Sequence, residues 1–117
     1  MKKIFVFILV FCSASMLQAQ DKNKKISFEV DGKCDMCKKR IEKAALGVKG
    51  VKYAFWDIPS HELSLIYDER KTDPMQIKTA IVLVGHDTKE LKASEEAYDN
   101  IHPCCKYRES SDKPNKL

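Results

Sequence analysis

Two groups of thiols give this chain its chemistry: Cys34-Asp35-Met36-Cys37 and the adjacent pair Cys104-Cys105. Sulfur ligands are soft and select Cu(I), Zn(II) or Hg(II) over calcium and magnesium. With two residues between them, Cys34 and Cys37 can turn both sulfurs onto one ion. Adjacent cysteines bridge each other only with strain, and a Cys-x-x-Cys pair closes a very small loop. Both spacings suit metal binding or thiol exchange better than a structural staple. Two thiolates underfill the usual four-coordinate zinc site. They satisfy a linear ion and leave room for a partner's sulfur, a geometry suited to transfer. Two rivals use the same residues: a thiol–disulfide exchange pair at Cys34 and Cys37, and a structural domain whose cysteines are oxidised.

The elements around the thiols follow from periodicity. Ile26, Phe28 and Val30 alternate with polar residues, which reads as a strand, and Asp31-Gly32 breaks it. Cys37, Ile41, Ala44, Ala45 and Val48 then recur at helical steps, so the first thiol pair sits where a strand ends and a helix begins. The free N–H groups of that helix start, with Lys38, Lys39 and Arg40, favour thiolate. Lys38 and Glu42 form an i,i+4 pair expected on the solvent side. Val51–Trp56 and Glu62–Tyr67 read as a hairpin turning at Pro59, with Tyr53, Phe55 and Trp56 as sheet packing. Thr72 or Asp73 caps a second helix with Pro74 in its first turn. Its stripe is Ile77, Ala80, Ile81 and Val84, and Gly85 stops it. Leu91–Ala93 is expected as a short last strand, followed by a turn or two of helix over Glu95–Asn100. The order predicts an α+β, ferredoxin-like βαββαβ sandwich: a four-stranded antiparallel sheet with two helices on one face.

Ahead of this domain stand a basic head, an apolar run from Ile4 to Cys12 and small and polar residues ending at Ala19. Residues 1–19 therefore read as a secretory signal peptide cleaved after Ala19. The apolar run is too short for a transmembrane span of roughly 20 residues. A lipoprotein reading would acylate Cys12, but Phe11 is too bulky for the residue before it. The expected organisation is a flexible N-terminus over 20–25, the domain over 26–93 and a cysteine-containing tail over 94–117, loose from Ser110. Export places the protein in the periplasm or outside the cell, with no stable membrane insertion after processing. The 117 residues suffice for one domain, and 44% hydrophobic with 32% charged residues is a globular balance. Loss of Lys2 and Lys3 leaves a nearly neutral chain without a basic stripe, so nucleic acid is not an expected partner. Asp68, Glu69, Asp73 and Asp87 lack calcium-loop spacing. No paired carboxylates or serine–histidine arrangement supports hydrolysis, so the chain does not read as an enzyme.

The stretch Gly32-Lys33-Cys34-Asp35-Met36-Cys37-Lys38-Lys39-Arg40-Ile41-Glu42-Lys43-Ala44 resembles the heavy-metal-associated domain family. That family includes copper chaperones, metal-binding domains of copper-exporting ATPases and periplasmic mercury-binding proteins. Gly50-Val51, Tyr67-Asp68 and Gly85-His86-Asp87-Thr88 are further marks, and the likeness covers about Ile26 to Ala93. It implies an exported protein that captures Cu(I) or Hg(II), with Zn(II) as a further candidate. It also implies handover to a metal transporter or another thiol-rich acceptor. The protein would act as a monomer, or as a metal-bridged dimer. The family's metal thiols fall on Cys34 and Cys37. Its usual Met two residues before the first Cys falls on Gly32, which bears on loop rigidity. His86 stands where bacterial copper domains commonly carry Tyr, with a surface or hydrogen-bonding histidine, outer-shell tuning and ligation as its candidate roles.

The tail Ile101-His102-Pro103-Cys104-Cys105-Lys106-Tyr107 lies beyond the common domain. Cys104 and Cys105 are candidate metal ligands, either joined to Cys34 and Cys37, in a separate site, or in disulfides. His102 is a further candidate, more simply read as solvated. The expected last strand runs away from the Cys34 loop, so the tail would have to return over the residues from Ala93 to Cys104. His61 is expected at the far end of the sheet with no metal role. Met36, between the two ligands, is a candidate weak sulfur donor, more simply read as packed or exposed.

Overall fold

The change of period after Gly32 marks the first structural boundary in the computed structural model, which describes residues 20–109. The expected leader with Cys12 and the charged end from Ser110 lie outside these residues. Strand β1 (Lys24–Glu29) leads through an irregular loop into helix α1 (Asp35–Leu46). Strands β2 (Val51–Trp56) and β3 (Glu62–Tyr67) form the hairpin, and helix α2 (Pro74–Leu83) comes after them. Asp73 caps α2 by accepting a hydrogen bond from the N–H of Gln76 at 2.9 Å, and Pro74 begins the helix.

The sheet is antiparallel in the order β1-β3-β2. β3, the central strand, alternates as its sequence requires: Leu63, Leu65 and Tyr67 are buried. α1 and α2 present Cys37, Ile41, Ala45, Ile77 and Ile81 to the same core. Of the three aromatics on β2, only Trp56 is buried. Tyr53 and Phe55 stay about half exposed, so the expectation of sheet packing holds for one ring of the three. Lys38 and Glu42 are half-buried, because Glu42 also accepts the N–H of Trp56 at 2.8 Å and Lys38 donates to the Trp56 carbonyl. The pair thus pins α1 to β2 and is not surface decoration.

The expected four-stranded sheet is not formed; the sheet has three strands. The position of the fourth is marked by one isolated bridge, Val30 to Thr88, supported by a bond from Asp31 N–H to Asp87 carbonyl at 2.9 Å. The chain then folds on itself. Thr88 N–H donates to the Leu91 carbonyl, and Leu91 N–H donates to the Thr88 hydroxyl. The Asp87 carboxylate takes the N–H of Ala93 at 2.7 Å. These bonds satisfy the polar groups that a strand would have presented to β1, so Leu91–Ala93 does not extend along it.

Beyond Ala93 the chain enters a short helix, α3 (Glu95–Asp99), capped by Ser94. Two 3₁₀ turns come next, Pro103–Cys105 and Tyr107–Glu109. Tyr98, Ile101, Cys105 and Tyr107 join the core, so the tail packs as part of the folded unit. Gly85 makes room for it. Its φ of +100° suits glycine, and a Cβ there would stand 2.6 Å from Ile101 and 2.7 Å from the Ala97 carbonyl oxygen. No helix among the described residues is long and apolar enough to cross a membrane.

Candidate metal centre

Cys34 is the N-cap of α1, with extended backbone, and Cys37 lies one turn in with its side chain fully buried. The β1–α1 loop is held from beneath by Trp56. Its Nε1 donates to the carbonyls of Val30 at 3.0 Å and His61 at 3.1 Å, and its ring stacks on His61. Gly32 is required by this arrangement: a Cβ at that position would stand 2.9 Å from the indole and 3.2 Å from Cys37 Cβ. A side chain is absent at Gly32 because an indole fills the space.

The same contacts place His61 beside the Cys34 loop, not at the far end of the sheet. The register pairs Glu29 with Glu62, so the hairpin turn and the end of β1 share one edge of the fold.

The tail brings its thiols to this mouth. Cys34 Sγ lies 3.6 Å from Cys104 Sγ, 3.8 Å from Cys105 Sγ and 3.9 Å from Cys37 Sγ. Cys104 and Cys105 sulfurs are 3.8 Å apart. All four are free thiols, with no disulfide among the described residues. The sulfurs of Cys34, Cys104 and Cys105 lie mutually within 4.8 Å and could hold a metal ion; Cys37 reaches the group through Cys34. His102 is not in this set. Its Nδ1 accepts the N–H of Cys104 at 3.4 Å and caps the 3₁₀ turn.

Electrostatics separate Cys34 from the two tail thiols. Partial desolvation pushes the Cys34 thiol up. The N–H groups of Cys37 and Met36 at the helix start and the thiols of Cys104 and Cys105 outweigh it, bringing Cys34 down to about 7. Burial raises Cys105, reinforced by Cys37, and desolvation raises Cys104, reinforced by Cys34. Cys34 is therefore shifted toward the thiolate, while Cys104 and Cys105 are held toward the thiol.

The anchor that holds the tail in place has no motif in the sequence. Tyr107 Oη donates to the Gly85 carbonyl at 2.7 Å and accepts the N–H of Asp87 at 3.0 Å. Arg108 grips the Asp87 carboxylate with Nε at 3.0 Å and Nη2 at 2.7 Å, and donates to the Ala93 carbonyl. Burial pushes the Asp87 carboxyl up, but Arg108 and the Ala93 N–H bring it below its ordinary value. The only local hint was the aromatic–basic pair Tyr107-Arg108 shortly after Cys105.

His86 joins the two regions. It is fully buried, its Nδ1 donates to the Asp31 carbonyl at 2.8 Å, and its ring stacks on Tyr107 at 5.4 Å. Nδ1 faces an oxygen acceptor and so carries the hydrogen. Burial, with Arg40 nearby, lowers its pKa to about 4 and keeps the ring neutral. Of the roles weighed for it, the structure assigns the hydrogen-bonding one: it braces the thiol loop against the tail.

Comparison with known proteins agrees with this geometry. The chain is 34% identical over 67 residues to the copper chaperone CopZ of Staphylococcus haemolyticus (strain JCSC1435), a match spanning 57% of this chain and 97% of that protein. A solved CopZ metallochaperone superposes with a TM-score of 0.54 at 30% identity, over 56% of this chain and 98% of that one. A copper-binding domain from the P-type ATPase HMA7 gives a TM-score of 0.54 at 26% identity, over 56% of this chain and 89% of that one. No family model matches. The 67 matched residues are fewer than the stretch from Cys34 to Cys104, whose positions are 70 apart, so the match cannot hold both of these thiols. With its thiol pair at the mouth of α1 and a soft-metal cluster built on Cys34, the chain belongs to the CopZ-like, heavy-metal-associated family of copper chaperones, proteins that bind and carry a metal and do not catalyse.

Proposed function

We propose that the chain carries Cu(I), held by Cys34, Cys104 and Cys105 with Cys37 as the fourth, exchangeable thiolate. The observation that carries this reading is the central position of Cys34, within 3.9 Å of each other sulfur. For metal–sulfur bonds of about 2.3 Å, a linear ion needs sulfurs about 4.6 Å apart, whereas a trigonal one needs about 4.0 Å. The spacings favour three-coordination over the linear two-thiolate arrangement that Cys34 and Cys37 alone suggested. The likeness to CopZ and to a copper-binding ATPase domain supports copper as the cargo and the soluble domain of a copper-transporting ATPase as the acceptor.

Handover proceeds by thiolate exchange. An acceptor thiolate forms a bond to the ion as one of the chain's thiolates leaves, and the ion stays three-coordinate at each stage. In a separate step Cys37 replaces one tail thiolate, so each bond formed is matched by one broken and the departing thiolate takes a proton from water. The basic head and apolar run of Met1–Ala19 support this work being done outside the cytoplasm, in the periplasm or the medium.

Anaerobic Cu(I) titration of the reduced chain, followed by X-ray absorption, tests the assignment. The expected result is one ion per chain with three sulfur neighbours, falling to two in a Cys104→Ser, Cys105→Ser variant. Nitrogen or oxygen neighbours only, or an unchanged sulfur count in that variant, would overturn it.

A further inference from the structure

The sulfurs of this site are graded from solvent to core. Cys37 and Cys105 are fully buried, Cys34 is half-buried and Cys104 is exposed. One further sulfur continues the series outward. Met36, in the first turn of α1 and 42% exposed, places Sδ 3.3 Å from Cys104 Sγ. Cys104 in turn lies 3.6 Å from Cys34. The contact arises from both regions: α1 points Met36 outward between the two family cysteines, and the 3₁₀ turn lays Cys104 over it. A thioether is a soft donor that needs no deprotonation, selects Cu(I)-class ions and is a poor ligand for zinc.

We infer that Met36, Cys104 and Cys34 form an outer port for a soft monovalent ion, the first sulfurs it meets on arrival and the last on departure. The inference rests on the thiolate reading of the inner site. An ion delivered by a low-molecular-weight thiol first gains a bond from Met36 Sδ. It then passes to Cys104 as the carrier's sulfur–metal bond breaks, and the Cys104 proton leaves with the carrier thiolate. No electron changes hands. The ion stays on Cys104 and next bonds Cys34 as the Met36 bond breaks, then bonds Cys105, and the protons of these two thiols pass to water. Met36 is thus a positioning ligand for exchange, and the final affinity is set by the thiolates.

The test uses the full reduced chain labelled with ¹³C at its methionine methyl groups and Ag(I) as a redox-inert probe. Sub-stoichiometric Ag(I) should shift the Met36 methyl resonance and leave that of Met75 in place; Met75 is similarly exposed on α2 and controls for unspecific thioether binding. Met36→Leu keeps size and apolarity. It should slow Ag(I) uptake from a glutathione complex about tenfold, while equilibrium affinity changes less than about threefold and Zn(II) uptake keeps its rate. A stationary Met36 methyl in the Ag(I)-loaded protein, or wild-type uptake by Met36→Leu, would overturn the port while leaving the inner site standing. Ag(I) binding that ignores Cys104→Ser, Cys105→Ser would remove the inner site and the port together.

Discussion

At the mouth of α1, one turn of helix fixes Cys34 and Cys37: their separation follows from backbone geometry, and Trp56 holds the loop beneath them. In the tail, Cys104 and Cys105 have only a single 3₁₀ turn capped by His102 behind them. They reach Cys34 across 70 positions of sequence because Tyr107 and Arg108 are fastened to Gly85 and Asp87 just beyond them. The first pair is held by secondary structure and the second by a tether. On the function proposed above, the site has a constant half and a detachable half: cargo would be gripped by both and released by loosening one.

The contrast between the halves breaks most completely at the residue they share. Cys34→Ser should weaken Cu(I) binding by at least about a thousandfold, roughly 4 kcal/mol, in competition with a chromophoric Cu(I) chelator. A loss below about tenfold would show that the two halves bind independently.

His86 tests the brace between the halves. Its folded pKa of about 4 lies below the ordinary 6.5, so between these values the unfolded chain holds more protons than the folded one. The stability this histidine contributes is therefore fully present above pH 6.5 and is lost as the pH drops toward 4, by at most about 3 kcal/mol. The groups facing the ring enter the same balance: Asp31 and its carbonyl from the thiol loop, Arg40 from α1, Asp87, and Tyr107 from the tail. Chemical denaturation of the metal-free chain across that range should show a slope that His86→Gln removes.

The detachable half is next. Cys104→Ser with Cys105→Ser should lower Cu(I) affinity about ten- to a hundredfold and speed transfer to an acceptor thiol, leaving Cys34 and Cys37 as a two-sulfur site. Equal affinity and equal transfer would show that the tail thiols take no part. The smallest effect is expected from Tyr107→Phe. It removes the hydroxyl between Gly85 and Asp87 at a cost of about 1–2 kcal/mol in stability and should raise hydrogen exchange at the tail before that at α1.

The constant half was legible in the sequence because its signals are local. The switch from period two to helical spacing after Gly32 located Cys34 and Cys37, and Asp73-Pro74 located the start of α2. The hairpin turn could have been placed correctly too, since an antiparallel register alone brings His61 to the Cys34 edge. The missing fourth strand was not legible. Val30 and Thr88 do begin to pair, but the carboxylate of Asp87 and the hydroxyl of Thr88 capture the backbone groups that would have continued the ladder. The loss of that strand also removes the long return expected of the tail. The chain turns back near Thr88 and stays on the side where the thiols are. No periodicity encodes the pairing of Asp87 with Arg108, which depends on two side chains meeting in the folded state.

Trp56 is the chain's single tryptophan, and the space that Gly32 leaves for it puts its ring edge against the β1–α1 loop and close to Cys37. The molecule therefore carries an optical gauge at the floor of its binding site. A dry, hydrogen-bonded indole emits at short wavelength, and a heavy ion settling onto the sulfurs above it opens a non-radiative path for the excited state. Loading and unloading can be followed by fluorescence in stopped flow without a label.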